Sequence, residues 1–174
     1  PSDVVAERLT HSDNNTAELL VKALGVKGSG TGSTAAGVAV IRKDLEATGL
    51  PTKDIVVVDG SGLATGNRVT CRLLSSILDA DGPNGPIAQG LAPSDGNVGT
   101  LADRYRSSPA KGAVRAKTGT LRAVTALSGW VTSSKGANVR FAFVINTGDR
   151  NVQAADIALE TRLTEALMSY PEAI

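Results

Sequence analysis

The sequence predicts an α+β fold, a helical part beside an antiparallel sheet. Up to about residue 106 the chain reads mainly as short amphipathic helices, whereas the last third holds three strand-like runs, Ala113 to Thr118, Val124 to Thr132 and Val139 to Asn146. The last two runs are joined by Ser133-Ser134-Lys135-Gly136-Ala137, a hairpin-length connection, so an antiparallel meander is the simplest arrangement.

The elements follow in order. Ser2 to Leu9 places Val5 and Leu9 on one face behind a Ser or Asp cap, a short helix. The polar cluster Thr10 to Asn15 then caps a second helix, Thr16 to Leu24, which Gly25 is expected to end. Gly28 to Ser33 reads as a flexible interval. Ser33 caps a third helix reaching about Thr48, with Val40, Ile41 and Leu45 as its stripe and Gly49 and Pro51 closing it. Ile55 to Val58 reads as a short buried strand broken at Asp59, and Asn67 precedes a helix from Val69 to Asp79. Asp81 to Asn97 reads as a loop with a helical turn around Ile87, and Thr100 to Arg106 as another turn of helix. A final helix from Val152 to about Met168, with Ile157, Leu163 and Leu167 on or near one side, would pack on the sheet.

Composition narrows the function. The 174 residues leave room for one ordinary domain or two very small ones, and no linker is long enough to separate domains. Eighteen Lys and Arg against 17 Asp and Glu give a net charge of +1, and aromatics reach only 3%, so neither counterion release nor base stacking is provided for and no nucleic-acid partner is expected. One Cys and one His exclude a structural zinc site and a disulfide framework, and no metal or other cofactor is implied. No apolar stretch approaches the roughly 20 residues of a membrane span. The sequence opens on Pro1 within a helical pattern, so an upstream segment is expected to have been removed.

Two triplets carry the chemistry. Ser12-Asp13-Asn14 sits in a polar turn between helices, and Lys117-Thr118-Gly119 sits at the end of a strand. Singly, Ser12 reads as a helix cap and Lys117 as a solvated strand-end charge. Together, in this order and on these elements, they resemble the S-D-N and K-T-G motifs of serine β-lactamases and penicillin-binding proteins. Asp59-Gly60-Ser61-Gly62-Leu63 after a Val-rich run, and Ala116 to Leu121 followed by Leu127-Ser128-Gly129-Trp130-Val131, resemble the D-alanyl-D-alanine carboxypeptidase/endopeptidase family of low-molecular-mass penicillin-binding proteins, from about Val4 to Leu167.

The resemblance implies the penicillin-binding, serine β-lactamase-like transpeptidase fold, with residues 1–174 as the C-terminal portion of one catalytic domain and the fold incomplete on this chain. It implies acyl transfer on peptidoglycan stem peptides, blocked by β-lactams, in an extracytoplasmic, periplasmic or cell-wall location of a bacterium. By resemblance Ser12 passes a proton between the attacked amide nitrogen and the lysine network, Asn14 donates to the substrate's amide carbonyl, and Lys117 supplies positive charge. Thr118 and Thr120 would hold the substrate carboxylate, the Thr120 N–H would be one oxyanion donor, and Gly119 would let a ligand lie along the strand. Arg115, two residues before Lys117 and on the same strand face, adds to the anion-attracting field or is simply exposed.

One departure is serious. The nucleophile motif S-x-x-K should lie upstream of Ser12, where only eleven residues remain. The sole matching string, Ser108-Pro109-Ala110-Lys111, follows the second motif and carries a Pro inside the helix that such a motif needs. The nucleophile and its lysine are therefore expected on an upstream segment or separate chain of the same enzyme. The alternatives are a non-catalytic penicillin- or peptide-binding module or inactive fragment, and then a serine β-lactamase, for which no deacylating Glu can be assigned.

Other residues invite weaker readings. His11 is adjacent to Ser12 and so diverges from it, Gly60-Ser61-Gly62 lacks the outer glycines of a nucleophile elbow, and Gly28 to Gly32 completes no phosphate-binding pattern. His11 reads as a surface or cap residue, Cys71 as a buried small apolar group and Trp130 as a packing residue.

Overall fold

Side-chain caps set several helix starts. In the computed structural model, which describes residues 2–171, the helices are α1 (Ser2–His11), α2 (Asn14–Ser29), α3 (Thr34–Ala47), α4 (Cys71–Asp81), α5 (Pro86–Gly90) and α6 (Ala154–Ala166). The strands are β1 (Ala92–Pro93), β2 (Val114–Thr120), β3 (Val124–Thr132) and β4 (Asn138–Asn146), and a 3-10 turn, Leu167–Ser169, follows α6. The Asp13 carboxylate accepts from the N–H groups of Asn15 and Thr16 ahead of α2, Ser33 accepts from Ala36 in α3, and Thr70 from Leu73 in α4. Each cap supplies a partner that the first helical turn lacks, a gain of about 1 kcal/mol.

The chain divides into two compact units, one made of the residues up to Ser12 and those from Leu78 onward, the other of Asp13 to Ile77. The first holds the antiparallel sheet in the order β1-β2-β3-β4. Val114 pairs with Val131, Ala116 with Gly129 and Thr118 with Leu127, so Val114, Ala116, Leu127 and Val131 share a face. With Phe141, Leu101 and Tyr105 they form the main core. On the other face Trp130 packs against Leu78, Ala88 and Leu91, as a packing residue should. The meander and its hairpin stand as expected, and β1 is an added strand inside the stretch read as loop.

The expected apolar stripe seats the last helix only in part: Leu167 and Met168, just after α6, pack against the sheet core, but Leu163 does not. Leu163 is 40% exposed, whereas Glu160 and Thr164 are fully buried. Arg104 Nη2 donates to Glu160 Oε2 at 2.8 Å and to the Ile157 carbonyl at 2.8 Å, and its Nε donates to Thr161 Oγ1 at 3.0 Å. A buried ion pair with added hydrogen bonds therefore shares the inner side of this helix with its apolar residues. Thr100 to Arg106 forms successive turns instead of a helix, with Leu101 and Tyr105 fully buried.

In the second unit, α2 runs through Gly25 and Gly28 and ends at Gly30, whose φ is 74°. Gly25 serves contact instead of termination: a Cβ there would lie 2.9 Å from the Gly37 nitrogen, and one on Gly37 would lie 1.9 Å from the Val21 carbonyl oxygen. These two glycines let α2 and α3 touch backbone to backbone. The run Ile55 to Val58 is not a buried strand. It makes an antiparallel bridge, Val56 to Arg68, and Val56 and Val58 are exposed, because among the described residues no neighbouring strand continues the ladder. Cys71, read as buried, is exposed at the start of α4.

Candidate active site

Ser12 and Lys117 lie in the same unit and meet. Lys117 Nζ donates to Ser12 Oγ at 2.7 Å and to the Thr118 carbonyl at 2.7 Å. Ser12 is not a helix cap; Asp13 does that work with Oδ1 at 3.0 Å from the Asn15 nitrogen, which leaves the Ser12 hydroxyl to Lys117. The turn between α1 and α2 holds Ser12 at φ 59°, left-handed backbone that costs an L-residue roughly 1–2 kcal/mol. Such a conformation is kept where the surroundings fix it, as the Lys117 bond and the flanking helices do.

Lys117 is not a solvated strand-end charge. It is half-buried, and burial, reinforced by the positive charge of Arg8, lowers its ammonium pKa to about 8. Arg8 stands on α1 four residues before Ser12, so α1 carries the charge that depresses Lys117 and the turn that follows it carries the partner.

Strand β2 sets the remaining geometry. β1 pairs with β2 only at Ala116 and Arg115, so among the described residues 117–120 have a strand neighbour on the β3 side alone. Thr132 N–H donates to the Ala113 carbonyl and Leu121 N–H to that of Val124, which assigns the odd residues of β2 to β3. The N–H groups of Thr118 and Thr120 then point to the open edge. Arg115 and Lys117 share one side of the pleat with Gly119, and Thr118 and Thr120 the other. Gly119 and Thr120 are exposed and Thr118 is half-buried. Among the described residues no strand pairs with the N–H groups of Thr118 and Thr120.

Asn14 is the first residue of α2 and belongs to the other unit, half-buried behind the Asp13 cap. Motif reading gave Arg8 no role and counted Asp13 only within the S-D-N triplet and the capping cluster Thr10 to Asn15. Their signals were an Asp immediately before a helix and a cation four residues ahead of Ser12.

The residues set aside behave accordingly. His11 is exposed beside Glu7, 3.5 Å away. Ser61 donates to Asp59 Oδ2 at 2.7 Å within its turn. Ser108 donates to Glu165 at 2.6 Å in a segment of turns, not in the helix an S-x-x-K pair requires.

With this geometry in hand, the chain can be set beside known proteins. The profile of the D-Ala-D-Ala carboxypeptidase 3 (S13) family matches residues 2–166. The chain is 35% identical over 178 residues to the D-alanyl-D-alanine carboxypeptidase of an Actinomadura species, covering 97% of this chain and 32% of that protein. It is 33% identical over 168 residues to Carboxypeptidase Rv3627c of Mycobacterium tuberculosis, covering 91% of this chain and 36% of that one. Penicillin binding protein 4 of Haemophilus influenzae, solved with a β-lactam, superposes with a TM-score of 0.85 at 26% identity over 97% of this chain and 41% of its own. The chain thus spans about a third of the length of these curated relatives.

Proposed function

The chain belongs to the D-Ala-D-Ala carboxypeptidase 3 (S13) family, and from that membership we propose that it forms the C-terminal portion of a serine D-Ala-D-Ala carboxypeptidase/endopeptidase domain that cleaves peptidoglycan stem peptides outside the cytoplasm. The nucleophile is the Ser of an S-x-x-K pair on the remaining part of the protein. That oxygen attacks the carbonyl carbon between the two D-alanines, the C–N bond breaks, the terminal D-alanine leaves with a proton on its nitrogen, and water hydrolyses the ester. A β-lactam acylates the same oxygen.

This chain's own groups have defined tasks. Because Lys117 donates into Ser12 Oγ, the Ser12 hydrogen is directed to another acceptor, and the leaving nitrogen is the one that needs it. The charged Lys117 also favours negative charge at the reacting centre. Asn14 donates to the substrate's amide carbonyl, Thr118 and Thr120 bind its free carboxylate, and the Thr120 N–H at the open edge of β2 serves the oxyanion. Gly119 leaves that edge free for a strand-like ligand.

The Lys117–Ser12 hydrogen bond carries this reading, since it joins two motif residues 105 positions apart. The test is release of D-alanine from a pentapeptide ending in D-Ala-D-Ala by the full-length protein. Release that benzylpenicillin abolishes supports the proposal, and a folded protein that releases none overturns it.

A further inference from the structure

The Asp59-Gly60-Ser61-Gly62-Leu63 turn has no place in the chemistry above, yet it is tied to the helix that begins at Asn14. Glu18, one helical turn after Asn14 and half-buried, uses both carboxylate oxygens. Oε1 accepts a short hydrogen bond from Thr34 Oγ1 at the start of α3, and Oε2 accepts from the Gly60 N–H at 2.7 Å. Gly60 can approach only because it has no side chain: a Cβ there would lie 2.7 Å from the Ala17 carbonyl oxygen and 2.5 Å from a Val21 methyl.

The turn is itself rigid. Asp59 accepts from the N–H groups of Gly62 and Ala64, both at 3.0 Å, from Ser61 Oγ at 2.7 Å and from Asn67 Nδ2 at 2.7 Å. Asn67 Oδ1 in turn accepts from the Val58 N–H at 2.8 Å. Burial opposes ionisation of Asp59, but these donors outweigh it and hold its carboxyl below the ordinary value; bonds from Thr34 and then Gly60 do the same for Glu18.

The backbone contact of α2 with α3, at Val21 and Gly37, lies beyond the first turn that bears Asn14. We propose that Glu18 and the Asp59–Leu63 turn form a brace that holds the first turns of α2 and so fixes Asn14 for substrate, making Glu18, Gly60 and Asp59 positioning residues for the reaction. The inference rests on the role proposed for Asn14. Each brace residue lies in one unit, Asp13 to Ile77, so the brace is a property of that unit.

The test is a double-mutant cycle on the full-length protein, read as the rate of acylation by a fluorescent penicillin, with amide hydrogen exchange on the same samples. Glu18→Ala should slow acylation about 10- to 100-fold, the scale that a small misplacement of a reacting group costs. In an Asn14→Ala background the same change should have little further effect, because the brace acts through Asn14. Glu18→Gln, which keeps an acceptor for Gly60, should restore the rate. Amides of 14–20 and 57–66 should exchange faster in Glu18→Ala and return to normal in Glu18→Gln. Thr34→Val, which removes one bond, replaces Glu18→Ala if that variant does not fold.

Equal losses with and without Asn14, or unchanged exchange in both segments, would overturn the brace. An unmutated protein that is not acylated would overturn the proposed function instead, and exchange would still decide whether the brace exists.

Discussion

Lys117 Nζ lies 2.7 Å from Ser12 Oγ, joining the end of α1 to β2 and placing a cation of depressed pKa against a hydroxyl held at positive φ. A merely structural lysine would gain by reaching water, as its stem is long enough to do. Here a half-buried ammonium is retained beside a serine at positive φ, the pattern of stability given up at a working site.

Removing either partner should therefore affect chemistry more than folding. Ser12→Ala is expected to slow acylation by benzylpenicillin about 10²- to 10⁴-fold, the range for loss of a positioned proton-transfer group. Stopped-flow acylation rates together with a melting curve check this, and the melting temperature should not fall.

The pH dependence has a definite sign. Lys117 is charged below about 8, so acylation that depends on its charge should decline as pH rises through about 8. Burial comes first in lowering that pKa and Arg8 second, so Arg8→Gln should move the declining limb to higher pH without abolishing it. A limb in the same place would remove Arg8 from the account.

Stability should vary in the opposite sense. The folded pKa of Lys117, about 8, lies below its ordinary 10.5, so the charged form opposes folding. That penalty is complete below about 8 and is relieved as pH rises towards 10.5. Lys117→Met should accordingly gain most over the unmutated protein at neutral pH, and its advantage should shrink by pH 10. Denaturant titrations of the two proteins at several pH values measure the difference.

Breaking the polar seat of α6 should be costly. Glu160 is fully buried and held by Arg104 at 2.8 Å, so Arg104→Ala strands a carboxylate and should cost about 3–5 kcal/mol. Replacing both with apolar residues should recover much of that loss, as measured by denaturant unfolding.

The helical unit offers a separate test. Gly37→Ala would drive a methyl into the Val21 carbonyl and should cost about 1–3 kcal/mol by overpacking. A neutral result would show that α2 and α3 can separate without loss.

Much of this was legible in the sequence, for reasons that individual residues make plain. The strand runs of the last third and the Ser133–Ala137 connection become β2, β3, β4 and the hairpin because period and turn chemistry are local properties. The S-D-N and K-T-G triplets led to Ser12 and Lys117, which the fold brings into contact. Glycine was misread at Gly25, since a helix-ending residue and a helix-contact residue look alike until α3 is in place. Periodicity failed at Leu163 because Arg104, which pairs with Glu160, comes from a distant turn. Val56 and Val58 suggested a strand, but a strand needs a neighbour, and the sequence does not show whether one arrives.

The central claim is that this chain supports an acyl-enzyme whose serine lies outside residues 1–174. The most direct measurement is peptide mapping by mass spectrometry of the full-length native protein after treatment with benzylpenicillin. The account predicts one penicilloyl adduct, on the serine of an S-x-x-K sequence outside this chain, with Ser12 unmodified. An adduct on Ser61, Ser108 or Ser12, or none on a folded protein, would contradict it.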